Sequence, residues 1–558
     1  MNQLSLADKL VFLVYFIIVA SYGFWVYRRK HKGGVSSSND YFLAEGSLTW
    51  WAIGASLIAS NISAEQFVAM AGNGFTMGLA ISTYEWMAAL TLIIVATFFI
   101  PVYLKNKIYT MPQFLHQRYN GTVAMIMAIF WLLLYIIVNL TSILYLGAIA
   151  IHGISGVDFK VCIALLAVFS VIITLGGMKV IGFTDVIQVF FLILGGLVTT
   201  YIAVNMVASH YGQSGFSAGL SLMYQKYNDH FHMILKKDNA SYGDLPGLTV
   251  LLGGMWIVNL NYWGCNQYIT QRALGADLPT ARGGILFAAF LKLLMPVIVV
   301  LPGIAAYVLY KQNVFDNVLS SNISNNHDNA YPVLLSLLRP GVKGLAFAAL
   351  TAAVVASLAG KANSIATIFT LDIYKKRIKT DATEKSLVNV GKITVVVAMI
   401  LGVVISPFLG IDKKGGFQFI QEYTGFVSPG IFAMFILGFF WKKASSNAAL
   451  FATVGGFAFS VFFKFLPKFA NLQGLASTGF SYKNADSGLY EIPFLDRMGF
   501  VFVICIVGMI IISLIDFAAG KKPKGLEVDK SMFKPNTSFA VGALIIIGIL
   551  TALYTLFY

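Results

Sequence analysis

Hydrogen-bonding and ionisable side chains stand at intervals in segments that are otherwise apolar: Gln66, Glu85, Asn259, Lys292, Gln421 and Glu422. An ionised group at the centre of a bilayer costs roughly 2.5 to 3.5 kcal/mol on insertion scales, so each such residue is a functional candidate. Amides, a carboxylate and an ammonium flanked by Tyr84, Trp86, Tyr262, Trp263 and Phe417 offer partners to hydroxyl groups and flat faces to the C–H surface of a ring. A sugar or polyol suits that set. An amino acid or other carboxylate would call for an unpaired Arg or a free helix N-terminus, and no mid-membrane Arg is expected. The competing use of these side chains is to hydrogen-bond helices to one another.

Two segments must position them, and both are interrupted near their midpoints by polar residues. Ser60-Asn61-Ile62-Ser63 interrupts 50 to 73, and Asn259-Leu260-Asn261-Tyr262 interrupts 246 to 270. Hydrocarbon supplies no water for freed backbone groups, so a break at membrane depth survives only where it lines a cavity or meets a ligand. Paired breaks in two halves of a chain point to a secondary transporter's binding site.

Of 558 residues, 58% are hydrophobic and 11% charged. One soluble core cannot hide so much apolar surface. A spanning helix needs about 20 mainly apolar residues. That criterion predicts an all-α polytopic membrane protein with about fourteen spans: 9 to 27, 50 to 73, 78 to 103, 122 to 150, 157 to 176, 180 to 207, 246 to 270, 283 to 311, 342 to 374, 387 to 411, 417 to 441, 447 to 467, 497 to 518 and 537 to 557. The net charge of +15 is not a nucleic-acid patch, because the basic residues alternate by loop. They cluster at Arg28 to Lys32, Lys105/Lys107/Arg118, Arg272/Arg282, Lys375 to Lys379, Lys442-Lys443 and Lys521 to Lys524. By the positive-inside rule those loops are cytoplasmic and both termini lie outside. The first apolar segment reads as a retained helix and not as a cleaved signal peptide.

Cys162, Cys265 and Cys505 are scattered, which makes neither a disulfide framework nor a zinc site. His230 and His232 have no further ligand nearby and read as a solvated loop. The expected organisation is a first helix and basic cytoplasmic loop (1 to 49), a first five-helix repeat (50 to 207), an external loop (208 to 245), a second five-helix repeat (246 to 441) and three C-terminal helices (442 to 558). No loop is long enough for a catalytic or signalling domain. An enzyme would need paired carboxylates, a metal cluster or an activated nucleophile, and none shares a segment.

The runs Gly54 to Phe67, Leu175-Gly176-Gly177-Met178, Gly254 to Trp263 and Gln421 to Gly430 resemble the solute:sodium symporter family, in its sodium/glucose branch. The likeness spans essentially the whole chain. It implies a five-helix inverted repeat of the leucine-transporter type, with discontinuous helices at 50 to 73 and 246 to 270, and alternating access around a central sugar. It also implies sugar contacts at Gln66, Glu85, Asn259, Lys292 and Gln421. Tyr262 would be an inner gate held by Asn61 and neighboured by Trp263, with Met70, Tyr84 and Phe417 as an outer gate. The branch's serine one turn after the glutamate is Ala88 here, which leaves the identity of the sugar open.

For Na+, the coupling ion the resemblance implies, the matching ligand positions are Ala59, Ile62, Ala353, Ala356 and Ser357. Ala356 replaces a hydroxyl. Four residues after Ser357, on the same helical face, Lys361 stands where an apolar side chain is expected. Asp185 is its expected partner, an ion pair in place of Na+; the competing reading has Lys361 snorkelling to the cytoplasmic surface. The expectation is therefore a plasma (inner) membrane hexose transporter, secondary active and Na+-coupled by resemblance but with a degraded Na+ site. A Na+-independent or proton-coupled carrier of sugar or polyol, and more remotely a sugar sensor or channel, remain open. The expected partners are a small sugar and the lipid bilayer, with no nucleic acid, in a monomer or weak homo-oligomer.

Overall fold

The computed structural model describes residues 4–30, 41–42, 48–408, 416–485 and 487–558. The side chains of the basic run from Arg29 to Lys32 lie outside the described residues. Apart from a two-residue antiparallel ladder, Tyr482–Lys483 with Tyr490–Glu491, the regular structure described is helical. Among the described residues, ten helices are long and apolar enough to cross a bilayer, and the pair Gly416–Gly425 and Ser428–Phe440, bent by 51°, makes an eleventh. The fourteen expected spans also counted Phe159–Thr174, only 16 residues long, and the two interrupted segments, of which Trp50–Asn61 and Gly254–Gly264 are too short to cross alone, while the stretch from Glu65 runs on into the span Glu65–Lys105.

The first interruption lies where expected. Helix Trp50–Asn61 ends, Ile62 turns extended (φ −82°, ψ 114°), and a new helical stretch begins at Glu65. Ser63 restarts it with a reciprocal cap. Its hydroxyl accepts from the Glu65 amide at 3.1 Å, and Gln66 Oε1 accepts from the Ser63 amide at 2.9 Å. The Ser-x-x-Gln spacing satisfies two amides that a helix start otherwise orphans.

The second interruption is not at Asn259–Tyr262, as the sequence led us to expect. Gly254–Gly264 is one unbroken helix, and the break falls at Cys265 and Asn266, before Gln267–Leu274. The asparagines do not need a break because they have partners: Asn259 donates to the Met255 carbonyl at 3.2 Å, and Asn261 to Ser428 Oγ at 3.1 Å. Gly264 packs so close to Phe99 that a Cβ would lie 2.4 Å from the ring.

The helix Val342–Thr367 runs through the middle and is buried along almost its whole length. Its alanines and glycines admit close neighbours. A Cβ on Gly195 of helix Met178–His210 would come within 2.6 Å of Ala349 Cβ. The start of this central helix is capped by Asp8, which accepts from the amides of Gly341 and Gly344 at 2.7 and 2.8 Å. The long polar loops 208–245 and 468–496 fold on each other through Lys237 to the Ser477 carbonyl and Tyr242 to the Gly479 carbonyl.

Candidate transport site

Both breaks open onto one chamber. Its walls include Asn61, Glu65 and Gln66 from the first broken segment, and Asn259, Tyr262, Trp263 and Tyr268 from the second. Tyr84, Glu85, Ala88, Lys292, Lys361, Phe417 and Gln421 complete the side relevant to chemistry. Each residue matched to a sugar contact therefore borders one space.

The chamber's polar groups form a connected network. Lys292 donates to Asn61 Oδ1 and pairs with Glu85 Oε2, and its ammonium stands 5.2 Å from the centre of the Trp263 ring. Asn61 passes the contact on, donating through Nδ2 to the Tyr262 hydroxyl at 2.9 Å. Tyr268 donates to the same hydroxyl. With both acceptor positions taken, the Tyr262 O–H is left to donate, and the residue borders the chamber. Tyr84 meets Phe417 edge to face at 4.9 Å between ring centres, closing the chamber on another side.

Three expected residues are placed elsewhere. Met70 is buried but does not line the chamber. Trp86 faces away, donating to the Leu293 carbonyl at 3.3 Å. Glu422 pairs with Lys464 and Arg497 on later helices, so its charge is spent on helix packing. His230 and His232 each contact a separate backbone carbonyl, of Phe75 and Tyr558.

The expected pair of Asp185 with Lys361 does not form. Asp185 faces Arg272 at 3.9 Å and accepts from Ser56, which in turn accepts from Arg272 Nε at 2.8 Å. Arg272 is 2% exposed and lies in the short helix Gln267–Leu274, which overturns its expected place in a loop. The later break is the reason: the chain re-enters a helix at Gln267 and carries the guanidinium inward. Lys361 pairs instead with Glu65, 3.7 Å from Oε1, and is buried, so it does not snorkel. Glu65 is the residue that sequence reasoning passed over. Its signal was available, since it lies inside the Ser63 to Gln66 cap at the first turn of a new helix.

The positions matched to Na+ ligands do converge in part. Ala59, Ile62, Ala353, Ala356 and Ser357 are all buried, and Ser357 Oγ donates to the Ser60 carbonyl at 3.0 Å. One side-chain oxygen expected for a bound Na+ is missing from the set. Ala356 has no side-chain oxygen, Ser357 spends its O–H on a carbonyl while its oxygen lone pairs remain, and Lys361 follows four residues later on the same helix with its ammonium on Glu65.

Residues 41–456 match the model of the sodium:solute symporter family. The chain is 46% identical over 565 aligned positions to a sodium/glucose cotransporter of Vibrio parahaemolyticus, covering 100% of this chain and 99% of the relative. It is 32% identical to the human sodium/myo-inositol cotransporter 2, over 80% of this chain and 68% of that one. A Na+-coupled sialic acid symporter, solved substrate-bound and outward-open, superposes with a TM-score of 0.73 at 20% identity, covering 92% of this chain and 98% of that one. At that identity the likeness speaks for the fold alone, a five-helix inverted repeat of the leucine-transporter type. On the family match and the full-length relative, this multi-pass membrane chain is a solute transporter, not an enzyme, and belongs to the sodium:solute symporter family.

Proposed function

We propose that the chain carries a hexose or polyol across the plasma (inner) membrane by alternating access around the central chamber, with both termini outside. The observation that carries this reading is the convergence of Gln66, Glu85, Asn259, Lys292 and Gln421 with Tyr262, Trp263 and Phe417 on one space at two helix breaks. Amide, carboxylate and ammonium groups bind hydroxyls, and the aromatic rings cover the apolar face of a sugar. The glucose and myo-inositol in the relatives' names support a polyhydroxylated ring as substrate, and the sodium in those names makes an ion gradient the general expectation for this family.

In this reading Lys292 and Glu85 orient hydroxyls, Tyr262 donates its free O–H and blocks one exit, and the Tyr84–Phe417 contact blocks the other. Ala88 provides space and no hydrogen bond, so the substrate's hydroxyl at that wall is read less strictly. The test is uptake of labelled galactose, glucose and myo-inositol into proteoliposomes holding the full chain. Saturable uptake of at least one, competed by the others, is expected. No uptake above protein-free liposomes, with no thermal stabilisation by any of the three, would overturn the reading.

A further inference from the structure

Lys361 lies in the buried helix Val342–Thr367, with its ammonium 3.7 Å from Glu65 Oε1 and 5.1 Å from the centre of the Tyr268 ring. Those partners belong to different broken segments. Glu65 opens the second piece of the first, and Tyr268 lies just past the break in the second. One side chain thus ties both discontinuities to the central helix. Ser142 donates to the same Glu65 oxygen at 3.4 Å.

The first break attracts a cation for plain reasons. Helix Trp50–Asn61 ends there, leaving carbonyls without helical partners at the negative end of its dipole. Glu65 adds a full negative charge a few residues on. In discontinuous-helix transporters such carbonyl ends coordinate a free cation. Here the positive charge is already attached to the protein. The buried ionisable groups around the two breaks also balance: Glu65 with Lys361, Glu85 with Lys292, and Asp185 with Arg272. The backbones of Ser357 and Lys361 are about one helical turn, ~5.4 Å, apart, and the ammonium reaches Glu65, three residues past the extended Ile62, so a Na+ between Ser357 and the break would have it as a near neighbour. Like charges that close in a low dielectric repel strongly.

We propose that Lys361, with Glu65 as counter-ion, is a tethered cation that takes the place of a free metal ion at the first break, so that this carrier binds and moves its sugar without Na+. The proposal rests on the transport reading and departs from the named relatives only in the ion.

Two measurements on the full-length protein test it. The first is equilibrium binding of radioactive Na+ to purified protein in lipid nanodiscs, and the second is sugar uptake into proteoliposomes with Na+ replaced by choline. Wild type is expected to show no saturable Na+ binding, and uptake within about twofold in the two salts. The double substitution Ala356→Ser, Lys361→Met restores a hydroxyl and frees Glu65, and should gain saturable Na+ binding; Lys361→Arg keeps the charge and should not. Saturable Na+ binding or steep Na+-dependent uptake in wild type overturns the proposal, as does a folded double variant that binds no Na+. If no sugar moves in either salt, the transport reading fails, while the binding experiment still decides the role of Lys361.

Discussion

Lys292 and Glu85 form a buried ion pair between residues 207 positions apart, and Asn61 at the end of the first broken helix accepts from the same ammonium. The pair therefore serves packing and ligand binding together. Removing one partner strands the other, at about 3 to 5 kcal/mol for a buried pair, whereas removing both leaves no bare charge. We expect Lys292→Met and Glu85→Gln each to lower thermal stability sharply. The double variant should recover most of the stability and none of the sugar affinity. Melting curves and sugar binding on the four proteins check this; a double variant as unstable as the singles would argue against the coupling.

The breaks show what a sequence discloses and what it withholds. The first was legible to the residue, because Ser60-Asn61-Ile62-Ser63 is polar in an apolar run and Ile62 does turn extended. The second was misplaced because Asn259 and Asn261 look like breakers until their partners, the Met255 carbonyl and Ser428, are known. That displacement carried a second error, since Arg272 then looked like a loop residue. The chamber's walls were largely legible because the functional side chains sit within short, specific runs. The partner of Lys361 was not. Asp185 and Glu65 are both acids near the first break, and only the packing of Val342–Thr367 against its neighbours decides between them.

Gln66 has two tasks, and they can be separated. Its Oε1 completes the cap of Ser63, and the side chain borders the chamber. Ser63→Ala should cost about 0.5 to 2 kcal/mol of stability through the lost cap while sugar affinity stays close to wild type. Gln66→Ala should lose a cap partner and also weaken sugar binding by ~1 to 3 kcal/mol, the usual result of stranding a buried polar partner. Calorimetric binding beside melting temperature distinguishes them; equal affinity losses would mean that Gln66 acts only through the cap.

Tyr262 accepts hydrogen bonds from Asn61 and Tyr268 and presents its ring to the chamber. Tyr262→Phe keeps the ring and removes one hydroxyl, so a modest loss of about 0.5 to 1.5 kcal/mol in sugar binding is expected, with uptake retained. Tyr262→Ala removes the stacking surface and the obstruction together and should abolish uptake. Transport by the alanine variant at the wild-type rate would remove Tyr262 from the gate.

Arg272 joins three elements at once. It donates to Ser56 in the first broken helix, to the Tyr268 carbonyl in its own short helix, and faces Asp185 on Met178–His210. Such a knot resists separation of the first broken segment from the second. Asp185→Asn leaves the guanidinium without its counter-charge, at a cost of about 3 to 5 kcal/mol for a buried pair broken on one side. Local opening should then become more frequent. We expect faster amide hydrogen exchange across Gln267–Leu274, and a fall in maximal uptake rate with the apparent sugar affinity nearly unchanged, because the side chains of Arg272, Asp185 and Ser56 contribute no wall to the chamber. Unaltered exchange in that helix, with uptake at the wild-type rate, would show that Ser56 and the Tyr268 carbonyl hold Arg272 in place without the acid.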